Sequence, residues 1–300
     1  MVGGIEMNGI KRSKGEYVFQ AINTALLILL ILMMVYPVWH VVCASFSNSK
    51  FLTAHKGVLL YPHGFNINAY KMMAKNPMII SGYLNTIFVV VVGVSVNIIM
   101  TSLGAYFLSR RNLRYQKIIM VMIIITMYFS GGMIPFYLTV SSLGLKDSLW
   151  SLIFPTAINT YNLIIMKTSF MSVPYSLEES AKIDGAGHLR ILFSIILPLS
   201  KAIIAVMVLY YAVANWNSWF NAMLFLEDRS KYPLQLVLRE ILIQNDTTTM
   251  TQGIGAADVN AVGETIKYAV IVVATLPILC VYPFIQKYFV SGVMIGAVKG

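Results

Sequence analysis

Read for its apolar and polar positions, the chain resolves into six long apolar runs, at 20–42, 81–108, 117–138, 149–171, 192–225 and 264–289. Each is on the scale of the ~20 residues an α-helix needs to cross the hydrocarbon core of a bilayer. The longest intervals between runs, 47–80 and 226–263, are polar, turn-rich and too small for a soluble domain. The pattern predicts an all-α membrane protein: an N-terminal segment over 1–19, six transmembrane helices over 20–289, and a tail over 290–300.

Composition strengthens that reading. Hydrophobic residues make up 58% of the 300 and charged residues 11%, with a mean hydropathy of +0.73; soluble domains are about a quarter charged. The first run follows Lys11, Arg12 and Lys14, as a signal peptide would, but it is long and lacks a small-x-small exit. His40-Val41-Val42 before Cys43 is not a lipoprotein cleavage pattern, so an uncleaved first helix is expected. Cys43 and Cys280 have neither metal-ligand nor disulfide-framework spacing and read as packing residues.

Lysine and arginine near helix ends set the orientation. Lys11, Arg12 and Lys14, then Arg110, Arg111, Arg114 and Lys117, then Lys182 and Arg190 all fall on one side of six spans. That side is expected to be the cytoplasm, with both termini there, although the first outer loop carries Lys50, Lys56, Lys71 and Lys75. The net charge of +10 then suits anionic inner-leaflet lipid and requires no nucleic acid.

The link between spans four and five, 176–190, is unusually polar. Pro174 precedes Ser176-Leu177-Glu178-Glu179, a capping-box pattern in which Ser176 accepts from the Glu179 N–H and the Glu179 side chain reaches back. A short helix is expected there, with Leu177, Ala181 and Ile183 on its apolar side, ending where Gly185 and Gly187 permit a sharp turn. Taken alone, such a segment is as readily a solvated elbow as a functional one.

The wider pattern narrows this. Glu179-Ser180-Ala181, then Gly185 after three residues, then Ile195-x-Leu197-Pro198 after nine more, resembles the loop of permease subunits in ATP-binding-cassette importers. "SGGMIPFYL" (130–138), "NLIIMKTSF" (162–170), "YYAVANWNSWFNAM" (210–223), "YPLQLVLREIL" (232–242) and "GVMIGAVKG" (292–300) extend the likeness along nearly the whole chain. They resemble maltose-permease-like carbohydrate importers, and among them the LplC-like subgroup associated with complex oligosaccharides. Ser180 departs from the alanine that the pattern prefers, and Lys182 adds a charge.

The resemblance implies that 176–190 is a coupling helix docking on a cytoplasmic ATPase through Glu178, Glu179, Ala181, Asp184, Gly185 and Arg190. It implies partners as well: a second, related permease subunit, two ATPase subunits, and an extracellular solute-binding protein met by the outer loop 226–263. The home would be a bacterial cytoplasmic membrane. The tail needs a surface for its apolar side chains, either the lipid headgroups or the ATPase dimer. The resemblance favours the ATPases, with Ile295, Gly296, Val298, Lys299 and Gly300 in contact.

The chain has no G-x-x-x-x-G-K-[ST], H-E-x-x-H or G-x-S-x-G stretch, so it is not expected to be an enzyme or to hydrolyse ATP itself. No cofactor or metal is expected on it: ATP and Mg belong to the partner ATPase, and His40, His55, His63 and His188 are dispersed. Pathway candidates are Asn215, Trp216, Asn217, Trp219 and Asn221 in span five, with Asn159 and Asn162 in span four. Amides offer hydrogen bonds to sugar hydroxyls, and indoles offer a flat apolar face. An interfacial aromatic belt and interhelical hydrogen bonding explain the same residues equally simply. The alternative to an ATP-driven importer is an ion-gradient-driven transporter of a small polar solute, which needs carboxylates within its spans; these spans hold essentially none away from their ends.

Overall fold

The computed structural model describes residues 14–54, 57–110, 114–243, 262–280 and 283. Among them every regular element is helical and no strand occurs. Three unbroken helices among the described residues are long and apolar enough to cross a bilayer: α1 (Lys14–Ser45), α2 (Pro77–Ser109) and, following the others in sequence, α11 (Val262–Cys280).

Of the six transmembrane helices expected, those in the middle of the chain are not single continuous helices. Run three is a bent pair, α3 (Gln116–Tyr128) and α4 (Met133–Ser142), meeting at 112° where Gly132 takes φ +89°. Run four is broken: a short helix Trp150–Ile153 and a 3₁₀ turn Phe154–Thr156 lead through an irregular link to α5 (Thr160–Met171), whose 12 residues are too few to span alone. After α6 (Tyr175–Ile183), run five holds α7 (His188–Leu199) and α8 (Lys201–Trp216), bent by 89°, then α9 (Phe220–Phe225). Pro155 sits in the first of these breaks, and a π-turn at Leu192–Ile196 accommodates Pro198 near the second. The interval 226–263 is not all loop either, since its described part contains α10 (Leu234–Ile243).

The chain divides into two compact units. In the first, α1 leaves nearly all its apolar length uncovered, a surface suited to lipid. Its C-terminal end is pinned to an extended segment: Trp39 Nε1 donates to the Leu60 carbonyl at 2.8 Å, and Leu59 N to Tyr36 Oη at 3.2 Å. Cys43, Ala44 and Leu59 form its small core, with Phe51, Leu52 and Tyr268 of α11 against them.

The second unit is organised around α2. Asn76 caps this helix, its side chain accepting from Met78 N, and Pro77 follows in the first turn, where a missing N–H costs nothing. Lipid is as apolar as leucine, so helices here gain by close packing rather than by escaping water. The side of α2 that faces its neighbours is accordingly small and polar: Gly82, Thr86, Gly93, Asn97, Thr101 and Ser102 are buried. A Cβ at Gly82 would stand 3.2 Å from Leu234 Cα of α10, and one at Gly104 3.1 Å from Leu163 of α5. Toward its far end, Ala105 and Leu108 join Met166, Phe170, Ile191, Leu192 and Met207 in the main core.

Candidate functional site

At mid-length of α2 the two broken runs meet around a cavity of ≈ 300 Å³. Thr156, Asn159 and Asn162 line it from run four; Tyr211, Ala214, Asn215, Asn217, Ser218, Trp219, Phe220 and Asn221 line it from run five. None of these side chains carries a formal charge. Both helices break at the cavity, which frees main-chain groups that apolar surroundings cannot satisfy. Side chains from neighbouring helices supply the partners. Asn97 Nδ2 donates to the carbonyls of Thr156 at 2.7 Å and Ala157 at 3.0 Å, and its Oδ1 accepts from Asn215 Nδ2 at 3.1 Å. Tyr211 Oη accepts from Asn159 N at 3.1 Å and shares a further hydrogen bond with the Thr101 hydroxyl, 2.7 Å away. Asn159 also caps α5, its Oδ1 accepting from Asn162 N. Gly93 makes the arrangement possible, since a Cβ there would stand 2.9 Å from Asn215 Nδ2.

Six of the seven pathway candidates, Asn159, Asn162, Asn215, Asn217, Trp219 and Asn221, thus border one cavity. Trp216 does not. Its Nε1 donates to the Ala274 carbonyl of α11 at 3.3 Å, and its ring meets Tyr83 edge-on. Asn97, Thr101 and Tyr211 were not singled out from the sequence, and Asn97, an amide inside an apolar run, was the available signal.

The polar link lies at the C-terminal end of α2, about 20 Å from Asn97 at 1.5 Å per residue. The expected capping box does not form. Pro174, not Ser176, is the N-cap of α6, no side-chain cap bond is made, and Glu179 is exposed. Glu178, by contrast, is 1% exposed and ion-pairs with Arg110. Arg110 is further held by Ser109 Oγ, which accepts from Nε at 3.1 Å and Nη2 at 2.8 Å, and its guanidinium lies over the Tyr106 ring. Lys182 Nζ stands 3.0 Å from Glu178 Oε1, without hydrogen-bond geometry. The reading of Glu178 as a docking residue is therefore corrected: in this chain its carboxylate is an internal anchor.

Past α6, the Gly185 N–H bonds the Lys182 carbonyl and the Ala186 N–H the Ala181 carbonyl, with Gly185 at φ +78°. This is a Schellman turn, and it satisfies the carbonyls that the helix leaves open. Gly187 has an ordinary extended conformation, so the turn rests on Gly185 alone. Ala181 packs on the core, whereas Leu177, Ile183 and Leu189 remain exposed beside Asp184 and Arg190.

At the opposite end of α2 the segments 146–148 and 226–232 are fastened together. Asp147 Oδ1 accepts from the N–H groups of Glu227 and Asp228, both at 3.0 Å, and Lys231 Nζ binds Oδ2 at 2.6 Å. These bonds hold the Asp147 carboxyl down at about 2, the main-chain N–H of Asp228 contributing most. Asn85 Nδ2 ties the same segment to α2 through the Ser230 carbonyl at 2.8 Å.

No grouping of three or more metal-ligating side chains occurs among the described residues. The tail residues Ile295, Gly296, Val298, Lys299 and Gly300, and the stretch 244–261 of the expected outer loop, lie outside the described residues.

Comparison with known proteins places these features in a wider group. Residues 98–295 match the family described as "Binding-protein-dependent transport system inner membrane component". The polygalacturonan/rhamnogalacturonan transport system permease protein YtcP of Bacillus subtilis (strain 168) is 46% identical over 287 residues, 94% of this chain and 98% of that protein. Protein LplC of the same organism is 42% identical over 98% of this chain and 99% of its own length. In a crystal structure of a bacterial ABC transporter involved in import of the acidic polysaccharide alginate, one chain superposes with a TM-score of 0.84 at 32% identity, covering 93% of this chain and 99% of that one.

Proposed function

The chain belongs to the family of binding-protein-dependent transport system inner membrane components, and from that premise we propose that it moves oligosaccharides into the cell by alternating access, powered by partner ATPase subunits. It is the multi-pass permease component of a sugar importer of the cytoplasmic membrane. In this reading a second, related permease completes the pathway, two ATPase subunits dock from the cytoplasm, and an external solute-binding protein delivers the sugar. ATP and its Mg are held by those ATPases.

The observation that carries the reading is the placement of two unlike surfaces along α2. An uncharged cavity of amides, hydroxyls and an indole suits the hydroxyls and C–H faces of a sugar. About 20 Å farther along the same helix, α6 presents Glu179, Leu177 and Ile183 outward on a turn locked by Gly185. Leu177 and Ile183 are the apolar contacts such a helix offers an ATPase cleft, and Glu179 is its charged one. With α6 in the cytoplasm, the Asp147 clamp at the other end of α2 faces outward, toward the binding protein, and both termini are cytoplasmic.

The test is reconstitution of the chain with its partner permease, ATPase and binding protein in proteoliposomes. ATP-dependent accumulation of a labelled oligosaccharide, abolished by omitting either the ATPase or the binding protein, is the expected result. Uptake driven by an ion gradient without ATP would overturn the reading.

A further inference from the structure

Among the described residues, the cations near the outer clamp are matched to carboxylates with one exception. Lys146 pairs with Glu227 at 2.7 Å, Lys231 with Asp147 at 2.6 Å, and Arg229 with Glu240 at 2.6 Å. Arg239 meets no carboxylate among the described residues. Its guanidinium lies 4.3 Å from the centroid of the Trp219 ring, and among the described residues its only hydrogen-bond partner is the Met223 sulfur at 3.7 Å. A thioether is a weak acceptor, and an aromatic face attracts a cation without neutralising it. Arg239 is half-buried, so part of its hydration is already lost.

Its position gives this unpaired charge a direction. Arg239 belongs to α10, which packs against Gly82 and Thr86 near the start of α2: Leu234 N donates to Thr86 Oγ1 at 2.8 Å. Trp219, on which it lies, lines the cavity. Arg239 therefore bridges the clamp end of α2, where a solute delivered from outside arrives, and an aromatic wall of the cavity. The cavity lining itself holds neither a cation to compete for an anion nor a carboxylate to repel one.

We infer that Arg239 is a specificity-determining residue that receives the carboxylate of an acidic sugar at the entrance to this cavity, so that the imported oligosaccharides carry uronate residues. The inference rests on the importer reading above. A uronate carboxylate is ionised at neutral pH, and the planar guanidinium can take it with two parallel N–H···O bonds while staying stacked on the indole. Amides and hydroxyls deeper in the cavity then meet the uncharged parts of the sugar.

The experiment uses the complete reconstituted importer with trigalacturonate and its fully methyl-esterified counterpart, which keeps the shape and removes the charge. Wild type is expected to prefer the acid, and Arg239→Met to lower uptake of the acid about tenfold with the ester unchanged; Arg239→Lys should fall between. A second measurement omits the binding protein: tryptophan fluorescence of the purified permease–ATPase complex is followed as trigalacturonate is added. There, Arg239→Met should weaken half-saturation about tenfold, and added salt should weaken wild type more than the variant. Equal loss for acid and ester would make Arg239 a packing residue of Trp219 and overturn the inference, as would unchanged uptake and binding of the acid. Either result leaves the importer reading standing, because that reading fails only if wild type shows no ATP-driven uptake.

Discussion

Glu178 of α6 is buried against Arg110 at the end of α2, while its neighbour Glu179 stands in solvent. Adjacent carboxylates on one helical turn thus do different work, one fastening the helix to its own protein and the other free to meet a partner. Glu178→Ala leaves a mostly buried guanidinium without its counterion and should cost about 3 kcal/mol of stability, read as a lowered unfolding midpoint in detergent. Glu179→Gln should leave that midpoint unchanged and instead lower uptake per ATP hydrolysed. If the two variants exchange these phenotypes, the assignment of roles is wrong.

Gly185 holds φ +78°, and nothing lies within 4 Å of where its Cβ would be, so the cost of a side chain there is conformational and not steric. Gly185→Val should destabilise the turn by about 1 kcal/mol or more and reduce recovery of the ATPase with the purified permease. Gly187→Ala, at an extended position, is the control and should behave as wild type.

Gly93→Ala places a methyl group against Asn215 Nδ2 and displaces that amide from Asn97. Overpacking of this kind costs about 1–3 kcal/mol, and the broken run four would lose part of the support for its open carbonyls. Uptake should fall even though no cavity-lining side chain has changed, while ATPase co-purification stays normal.

The clamp should be sensitive to pH at both extremes. Asp147 titrates at about 2 in the folded chain, against an ordinary 3.8. Its contribution is therefore complete above the ordinary value and disappears as pH falls through 3.8 toward 2. Lys231 and Lys146 are shifted upward by their carboxylate partners, so their contributions hold below 10.5 and fade as pH rises past it. Protease accessibility of the 226–233 segment should rise at both limits, and Asp147→Asn, which removes the carboxylate that also raises Lys231, should weaken both limbs and leave the Lys146–Glu227 pair to carry what remains at high pH.

Deleting residues 292–300 should leave membrane insertion and permease pairing intact but weaken retention of the ATPase. Full retention with normal uptake would assign the tail to the membrane surface instead.

The parts legible in the sequence were those in which a residue type contradicts its surroundings. Asn159, Asn162, Asn217 and Asn221 stand out because amides are costly in apolar runs, and a neutral polar cavity is where the fold places them. Asn97 was equally anomalous, but one amide in a long apolar helix gives no direction in which to look for its partners. Arg110 was hidden within a basic cluster that positive-inside bias already explained. The capping box failed for a local reason: Pro174, with φ −56°, starts α6 early enough to put Ser176 inside the helix, where its hydroxyl cannot cap it. Leu234, Val237, Leu238 and Ile241 of α10 repeat at helical spacing and are buried, yet the polar residues flanking them made the whole interval look like loop.

The breaks at 157–159 and 217–219 mean that part of the cavity's chemistry belongs to the main chain, which no substitution can delete. Carbonyl and N–H groups freed by a broken helix stay in place whatever side chain is attached to them, and only their neighbours decide which are spent internally. Asn97 and Tyr211 act as bookkeepers of that supply, occupying two carbonyls and one N–H. A lineage acquiring a new sugar could therefore do so at positions that never touch it, by releasing or recapturing backbone groups from behind the wall.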